Sequence, residues 1–436
     1  TTIVNNGTQT GFGRTGTVDW DTTPKTATFS AVSGNGYFCN TSGGAFTVNL
    51  PAGSGGAIVS VSDYTRTFQT NNLTVSPNGS EKIGGVAAYA TLNTEGQTAT
   101  FVYVDSTEGW INVQETSNSV TGRQFITATG GTITCSGDYR IHTFTGPGTF
   151  CVSQISTVPA ENTVGYAVVA GGGAGGSGGN GGGGGGAGGF REGRNAPIDN
   201  FTASPLVANA PTNAVTITAT GFPITVGGGG TGVTGSCTPG ANGVNSVFSS
   251  ITSAGGGGGG GPPGAAPGDP GGSGGGGSGN TACRTGGSGN TPPVSPPQGQ
   301  DGGQSSGQPG LNGKGGGGGG AGAAATQTPI GNNNSAGNGA VGVSTAITGS
   351  AVSYAGGAGG GAQNGPTLAP GGAGSPCGTG GVGATSAPAC ASIDRNAGDG
   401  TTNRGGAGGG NTGTSSPAAK AGNGGSGIVI IRNKFQ

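Results

Sequence analysis

The sequence contains no methionine, one histidine and few charged residues. Lys, Arg, Asp and Glu make up 7% of the 436 residues, the net charge is −1, and aromatic residues make up 5%. A nucleic-acid-binding protein carries a basic face, and none is visible here. No apolar run approaches the ~20 residues of a membrane span, and no signal-peptide pattern opens the chain. We therefore expect no nucleic acid, no membrane insertion, and synthesis in the cytoplasm.

Catalytic and metal-binding patterns are also scarce. The seven cysteines include no C-x-x-C pair, and one histidine cannot complete a zinc-type cluster at close spacing. His142 lies in the alternating segment YRIHTF, which predicts a strand residue rather than a catalytic base. A glycosidase needs two neighbouring carboxylates, whereas Glu192 lies between Arg191 and Arg194, where an ion pair is the simpler interpretation. We predict a protein that is not an enzyme and that has no cofactor or metal.

The cysteine positions suggest two disulfides. Cys135 and Cys151 flank a predicted hairpin, and Cys377 and Cys390 bracket a loop. Free buried thiols explain the sequence equally well, because spacing alone does not fix the geometry that a disulfide requires. The odd number of cysteines leaves at least one thiol unpaired.

The N-terminal part of the chain has the pattern of β-strands. Segments such as FTVNL (46–50), AIVSVSDY (57–64) and ATFVYV (99–104) alternate apolar and polar residues. Turn-forming words such as PAGSGG and SPNGSE separate them. Strands at this spacing suggest a sandwich or a small barrel. We predict a β-sandwich-like domain over residues 1–120 that serves attachment or assembly. Residues 121–170 are predicted to form a small β-hairpin module, two consecutive hairpins with turns at 130–131 and 146–148.

Residues 171–427 are threaded with glycine tracts such as GGGAGGSGGNGGGGGGAGG and GGGGGGG, and the chain has 110 glycines. A flexible linker is one interpretation. The other is a bundle of polyproline-II-like helices, with about three residues per turn, whose backbone groups bond to neighbouring helices. Interspersed apolar words such as AVTITATGFPITV, together with the low charge, favour the bundle. The predicted fold class is all-β, with packed polyglycine-II-type helices, short strands and loops in this domain.

The glycine-rich region lies between two of the most apolar segments of the chain. VGYAVVA (164–170) leads into it, and GIVIIRNKF (427–435) follows it. An apolar terminal strand needs a partner, and a chain end tied into a sheet does not fray. We therefore predict a C-terminal strand over 428–436 that pairs with residues 164–169, which makes the glycine-rich region one excursion between neighbouring strands.

Several of these sequence segments together resemble those of a known protein family. YAVVAGGGAGG, GGGGAGGFRE, FPITVGGGG and GNGGSGIVIIR are similar to the glycine-rich domain of bacteriophage tail-fibre and related virion proteins, which are frequent in marine cyanophages. VYVDSTEGWINV resembles an upstream segment of the same proteins. The architecture also resembles polyglycine-helix tip adhesins of tailed phages. The resemblance implies a virion protein on an external appendage, a tail fibre or tip adhesin that recognises the host surface. The alternative is a capsid or tail decoration protein with a purely structural role.

The resemblance also implies that loops between the tracts contact the host. These loops are rich in Asn, Gln, Ser, Thr and Pro, which suits adaptable hydrogen bonding to a host glycan or outer-membrane protein. The candidate contact residues are Phe201, Arg284, Gln298, Gln304, Asn332 and Asn333. Phe201 is the one aromatic residue in these loops beyond Phe190, so stacking platforms for sugar rings are scarce there. Other virion proteins are expected partners, and both a homotrimer and a monomer fit the sequence.

Overall fold

The computed structural model describes residues 18–114, 124–178, 181–235, 238–261, 266–279, 283–307, 313–329, 335–362, 370–385, 396–412 and 419–435. Regular structure in these residues is almost entirely β-strand, which confirms the all-β class. The helical segment among them is the short 3₁₀ helix Pro159–Asn162. The chain divides into two compact units: residues 1–125 with 156–159 and 436, and residues 126–155 with 160–435.

The first unit contains two sheets between which the chain alternates. The strand order in one sheet is β1 (Asp19–Lys25), β3 (Asn35–Cys39), β5 (Ile58–Asp63), β8 (Thr98–Asp105), β9 (Gly109–Asn112), and in the other β2 (Phe29–Ser30), β4 (Phe46–Asn49), β6 (Leu73–Ser76), β7 (Ala90–Leu92). Strands β1, β3 and β5 are parallel, as are β2, β4 and β6. The chain therefore winds like a short solenoid, and antiparallel pairs involving β7, β8 and β9 follow.

One apolar core joins the two sheets of this unit. It includes Tyr37, Val48, Val61, Leu73 and Phe101, all fully or nearly buried. The sandwich-like layering predicted from the sequence is therefore present. The parallel winding was not predicted, because side chains alternate between the two faces of a strand in parallel and antiparallel pairs alike.

The second unit contains three sheets among its described residues. The largest has the order β11 (Thr132–Ser136), β12 (Tyr139–Phe144), β23 (Ile428–Lys434), β14 (Thr163–Val169), β15 (Phe190–Arg194), β16 (Val207–Asn209), with β17 (Val215–Thr216) also paired to β14. A second has the order β10 (Thr127–Thr129), β13 (Gly148–Gln154), β18 (Gly221–Thr225), β19 (Ser246–Phe248), β20 (Ile251–Ser253). The third consists of β21 (Val343–Thr345) and β22 (Val352–Tyr354).

The C-terminal strand lies inside the largest sheet. Strand β23 pairs antiparallel with β14, with Ile428 opposite Val169 and Arg432 opposite Gly165. Its other edge pairs with β12. The pairing predicted for 428–432 and 164–169 is thus present, and the glycine-rich region starts and finishes on neighbouring strands.

The strands within residues 121–170 pair differently from the prediction. Strand β11 pairs with β12, and β10 pairs with β13, so one pair encloses the other along the chain. The segments predicted as hairpin turns, 130–131 and 146–148, instead lead from one sheet to the other. These strands also pair with later ones, β12 with β23 and β13 with β18. They complete the sheets of the glycine-rich unit and do not form a separate module.

The glycine tracts form an ordered bundle of extended helices. Segment 181–189 lies inside it, and its N–H groups bond to three neighbouring segments in turn. The donor–acceptor pairs are Gly182–Asn411, Gly185–Gly408 and Gly188–Gly405; Gly183–Gly260 and Gly186–Gly257; Gly184–Gly316 and Ala187–Gly319. Every third residue therefore faces the same neighbour, as a helix with three residues per turn requires.

The carbonyl groups of the same segment accept bonds from three further segments. The donors are Gly173 and Gly176 from one segment, Ala358 and Gly361 from a second, and Ser273 and Gly276 from a third. The segment thus has six hydrogen-bonded neighbours. Glycine makes this packing possible, because a Cβ on Gly184 would lie 2.2 Å from the carbonyl oxygen of Ala358. Neighbouring helices satisfy the buried backbone groups, and the tracts are a scaffold, not a linker.

Candidate functional site

The bundle has two different ends. At the proximal end the tracts join the sheets, since Ala170 donates to Gly189 and Gly427 donates to Gly227, next to strands β14, β15 and β23. The distal end lies at the level of Gly182, about 25 Å away if each of the eight residues from Gly182 to Phe190 rises ~3.1 Å. The chain enters the bundle after β14 and leaves it before β23, both at the proximal end.

The ends of the tracts meet at the distal end. Ser177 forms bridges with Thr238 and Asn411, and Lys314 forms bridges with Ser306 and Ala362. Other tract ends are joined in the same layer: Gly279 with Gly181, Ala336 with Pro370, Ala362 with Ala384, Thr234 with Lys420, and Ala397 with Lys420. Together with Ala266, which accepts from Ser278, these residues flank nine connections of the chain, namely 179–180, 236–237, 262–265, 280–282, 308–312, 330–334, 363–369, 386–395 and 413–418.

Two of the six candidate contact residues, Arg284 and Gln304, belong to described segments at this end. Arg284 and Gln304 are half-buried. The backbone N–H of Arg284 donates to Ser305 Oγ at 2.9 Å, and the carbonyl oxygen of Gln304 accepts from Thr328. Asn332 and Asn333 lie outside the described residues, in the connection 330–334.

The other two candidates lie at the proximal end and are buried. Phe201 is 7% exposed, and the guanidinium carbon of Arg432 lies 5.7 Å from its ring centre. Gln298 is 1% exposed; its Oε1 accepts from Ala254 N–H, and its Nε2 donates to the carbonyl of Pro292. Neither side chain is free to contact a receptor, which corrects the expectation from loop composition.

A buried polar network, which the sequence did not indicate, ties the proximal loops to the C-terminal strand. Arg432 Nε lies 2.9 Å from Asp199 Oδ1, and both side chains are buried. Burial raises the pKa of Asp199, although the bond from Arg432 opposes this. Glu192 accepts from Thr345 Oγ1 and from Ser204 N–H, and burial raises its pKa as well. These hydrogen bonds replace the ion pair expected between Glu192 and its neighbouring arginines.

The cysteine predictions find no support in the described residues. Cys135 and Cys151 are free, exposed thiols on strands of different sheets, because β11 and β13 do not pair. Cys377 is also a free thiol, and Cys390 lies outside the described residues.

Cys377 lines a shallow cleft of about 340 Å³ together with Ser353, Thr379 and Arg404. Its sulfur lies 2.9 Å from Ser375 Oγ and 3.3 Å from Thr379 Oγ1. Burial acts to raise the pKa of this thiol, but the hydrogen bonds outweigh burial and lower it. No histidine or carboxylate of the described chain lines the cleft, so it lacks a general base among those residues.

The described residues contain no group of three or more His, Cys, Asp or Glu side chains placed to hold a metal ion. They also contain no helix long and apolar enough to cross a membrane.

Together these features define a class of domain, a polyglycine-helix bundle inserted between two adjacent strands. Residues 145–434 match the family model described as a glycine-rich domain. The match covers about two thirds of the chain, so the chain belongs to this glycine-rich domain family. Among curated proteins, none matches the chain.

Proposed function

We propose that the protein is a bacteriophage virion protein, a tail fibre or tip adhesin that binds the host cell surface without catalysis. The observation that carries this proposal is that the tract ends that flank nine connections of the chain meet at one end of the bundle. Recognition residues are commonly found on loops that a rigid scaffold positions. At the distal end the bundle holds the tract ends on the two sides of each connection, and the proximal end anchors the bundle in the sheets.

The chemistry of the connections suits an uncharged or weakly charged receptor surface. The segments QPGLN (308–312), IGNNN (330–334) and QNGPTLA (363–369) contain amide side chains and no charged residue. Asn and Gln offer both donors and acceptors for hydrogen bonds. A host glycan or the outer loops of a membrane protein presents the matching groups.

The bundle also allows its connections to differ in length. The hydrogen bonds that hold the tracts are made by backbone groups of the tract residues themselves. Replacing a connection therefore leaves the scaffold bonds in place. This property suits a protein whose binding surface must match different hosts.

Adsorption competition tests the proposal. Purified protein is mixed with susceptible cells before phage is added, and adsorption is counted. In a distal variant, connections 308–312 and 330–334 are replaced by Gly/Ser segments of equal length. In a matched proximal control, Ser250→Ala and Thr252→Ala change exposed polar residues next to the turn of the β19–β20 hairpin.

We expect the intact protein and the proximal control to block adsorption and the distal variant to lose this activity. If all three proteins block equally, contact does not occur through these connections. If none of them binds cells, the receptor role is wrong, and a structural decoration of capsid or tail takes its place.

A further inference from the structure

The first unit carries a continuous patch of aromatic rings on the outer face of a sheet. Trp20 on β1 stacks on Phe38 of β3, with ring centres 4.8 Å apart and planes inclined by 29°. Phe38 in turn meets Tyr64, which follows β5, at 6.3 Å edge to face. Trp20 is 41% exposed and Tyr64 55%. Exposed apolar groups scattered singly need no explanation, but a contiguous patch marks a binding surface.

A glycine beneath the patch lets the indole lie against the sheet. Trp20 is opposite Gly36 on the neighbouring strand. A Cβ on Gly36 would lie 2.6 Å from Val18 Cγ2 and 2.8 Å from two indole carbons, Cδ2 and Cε3, so any other residue would displace the indole and Val18. The indole therefore lies close to the backbone of β3 at Gly36, one of its faces stacks on Phe38, and 41% of the side chain stays exposed.

Hydroxyl groups lie beside the rings on the same face. Ser62 is opposite Phe38, and Thr98 is opposite Ser62 on the next strand. Both are half-buried, and their hydroxyl oxygens are 2.9 Å apart. Each hydroxyl has one donor and two acceptor positions, so the pair keeps capacity for a ligand after bonding to itself.

Two ion pairs involve residues that are close to Trp20 and Tyr64 in the sequence. Lys25 Nζ lies 2.7 Å from Asp21 Oδ2, and Arg66 lies 3.8 Å from Glu95 Oε1. A neutral ligand on the rings requires neither pair to open.

We propose that Trp20, Phe38 and Tyr64 form a binding platform for an uncharged glycan chain. The C–H groups of a sugar ring carry slight positive charge and pack on the negative face of an aromatic ring. The hydroxyls of Ser62 and Thr98 bond to the hydroxyl groups of the sugar at the edge of the platform. The site belongs to the first unit and does not rest on the receptor role of the distal end.

The two tryptophans of the chain make the site measurable. Trp110 is fully buried, so quenching by acrylamide reports mainly on Trp20. The full chain is titrated with neutral hexasaccharides of glucose, mannose and galactose, and binding is followed by quenching and by calorimetry. We expect at least one hexasaccharide to protect the exposed tryptophan from acrylamide.

Three variants locate the binding by calorimetry. Trp20→Ala removes the ring, and Gly36→Ala displaces it without removing a ligand contact; each is expected to weaken binding about tenfold or more. Tyr89→Ala removes an aromatic side chain that is 62% exposed and outside the patch, and it should leave affinity unchanged. The buried emission of Trp110 verifies that each variant is folded.

Two results would overturn the proposal. One is the absence of saccharide binding, including the case in which the protein self-associates through Trp20, since the patch would then be a protein interface. The other is saccharide binding that Trp20→Ala leaves intact.

Discussion

Inside the bundle, single methyl groups decide which residues are tolerated. Ala187 is fully buried and belongs to an apolar cluster with Phe190 and Ala321. A Cβ on the adjacent Gly186 would instead lie 2.2 Å from the carbonyl oxygen of Ser273. Ala187 therefore points toward apolar side chains, whereas Gly186 points toward a neighbouring backbone.

This difference predicts opposite results for two substitutions in the same bundle. Gly186→Ala should lower the free energy of unfolding by about 3 kcal/mol or more, because backbone atoms must separate and hydrogen bonds are lost. Gly228→Ala is the matched control, since no atom lies within 4 Å of a Cβ there. It should be neutral or raise stability by up to about 1 kcal/mol. The free energy of unfolding of each variant is measured by denaturant titration. Equal changes for Gly186→Ala and Gly228→Ala would contradict the bundle geometry.

His142 predicts a pH dependence of stability. Its side chain is buried against Phe150, and burial lowers its pKa, with Arg140 adding to the effect and the bond to Gly130 opposing it. Below about pH 6.5 the unfolded chain binds a proton that the folded His142 does not. Stability from this residue is therefore complete above that pH and is lost as pH falls through the folded pKa.

The matched variant for this prediction is His142→Asn, which can still donate to Gly130 but does not titrate. Melting temperatures are compared for both proteins between about pH 7 and pH 5.5, a range that spans the ordinary pKa of a histidine side chain. The native protein should lose more stability than the variant. The carboxyl groups titrate in both proteins, so their effect cancels in the comparison. If melting temperature changes with pH equally in the two proteins, His142 does not contribute to the pH dependence of stability.

At the scale of elements, the C-terminal strand β23 organises the second unit. It pairs on both edges, and its Arg432 forms the buried ion pair with Asp199. Removing one member of a buried pair leaves an uncompensated charge, which typically costs about 3–5 kcal/mol. We expect Asp199→Asn to reduce the unfolding free energy by an amount in this range.

The exposed pair of Arg66 and Glu95 provides the comparison. Both side chains are more than half exposed, and exposed pairs contribute about 0–1 kcal/mol. Glu95→Gln should therefore leave the unfolding free energy measured by chemical denaturation almost unchanged. A small effect of Asp199→Asn would mean that Arg432 finds another partner or water.

The sequence predicted the elements better than their partners. The apolar runs at 164–169 and 428–432 were paired correctly because burial gives such strands few alternatives. The strand pairing predicted within residues 121–170 was wrong. Strands β10 and β13 pair with each other although β11 and β12 lie between them in the sequence, and the turn-forming glycines do not indicate this arrangement. The burial of Phe201 and Gln298 depends on tertiary contacts that loop composition does not contain. The tracts are nearly identical in sequence, so they do not specify which six neighbours surround segment 181–189.

At the scale of the whole molecule, the two units should unfold separately and can be observed separately. Both tryptophans, Trp20 and Trp110, belong to the first unit. Deleting residues 428–436 removes an interior strand of the seven-stranded sheet in the second unit. We expect calorimetry of the truncated chain to lose one transition, while the transition seen by tryptophan fluorescence remains.

The full-length chain is the reference for this experiment. If its tryptophan transition coincides with its complete calorimetric transition, the units unfold as one. If truncation abolishes the tryptophan transition as well, the first unit requires the second.

The bundle is held by backbone bonds between glycines, and this has a thermal consequence. Unfolding it exposes peptide groups more than apolar side chains, and polar exposure lowers the heat capacity of unfolding whereas apolar exposure raises it. The heat-capacity change on unfolding of the second unit should therefore be smaller than the usual value of about 12–15 cal/mol/K per residue. Calorimetry at several pH values measures this change. A small heat-capacity change makes the free energy of unfolding depend only weakly on temperature. Such a scaffold therefore stays folded at low as well as at high temperature.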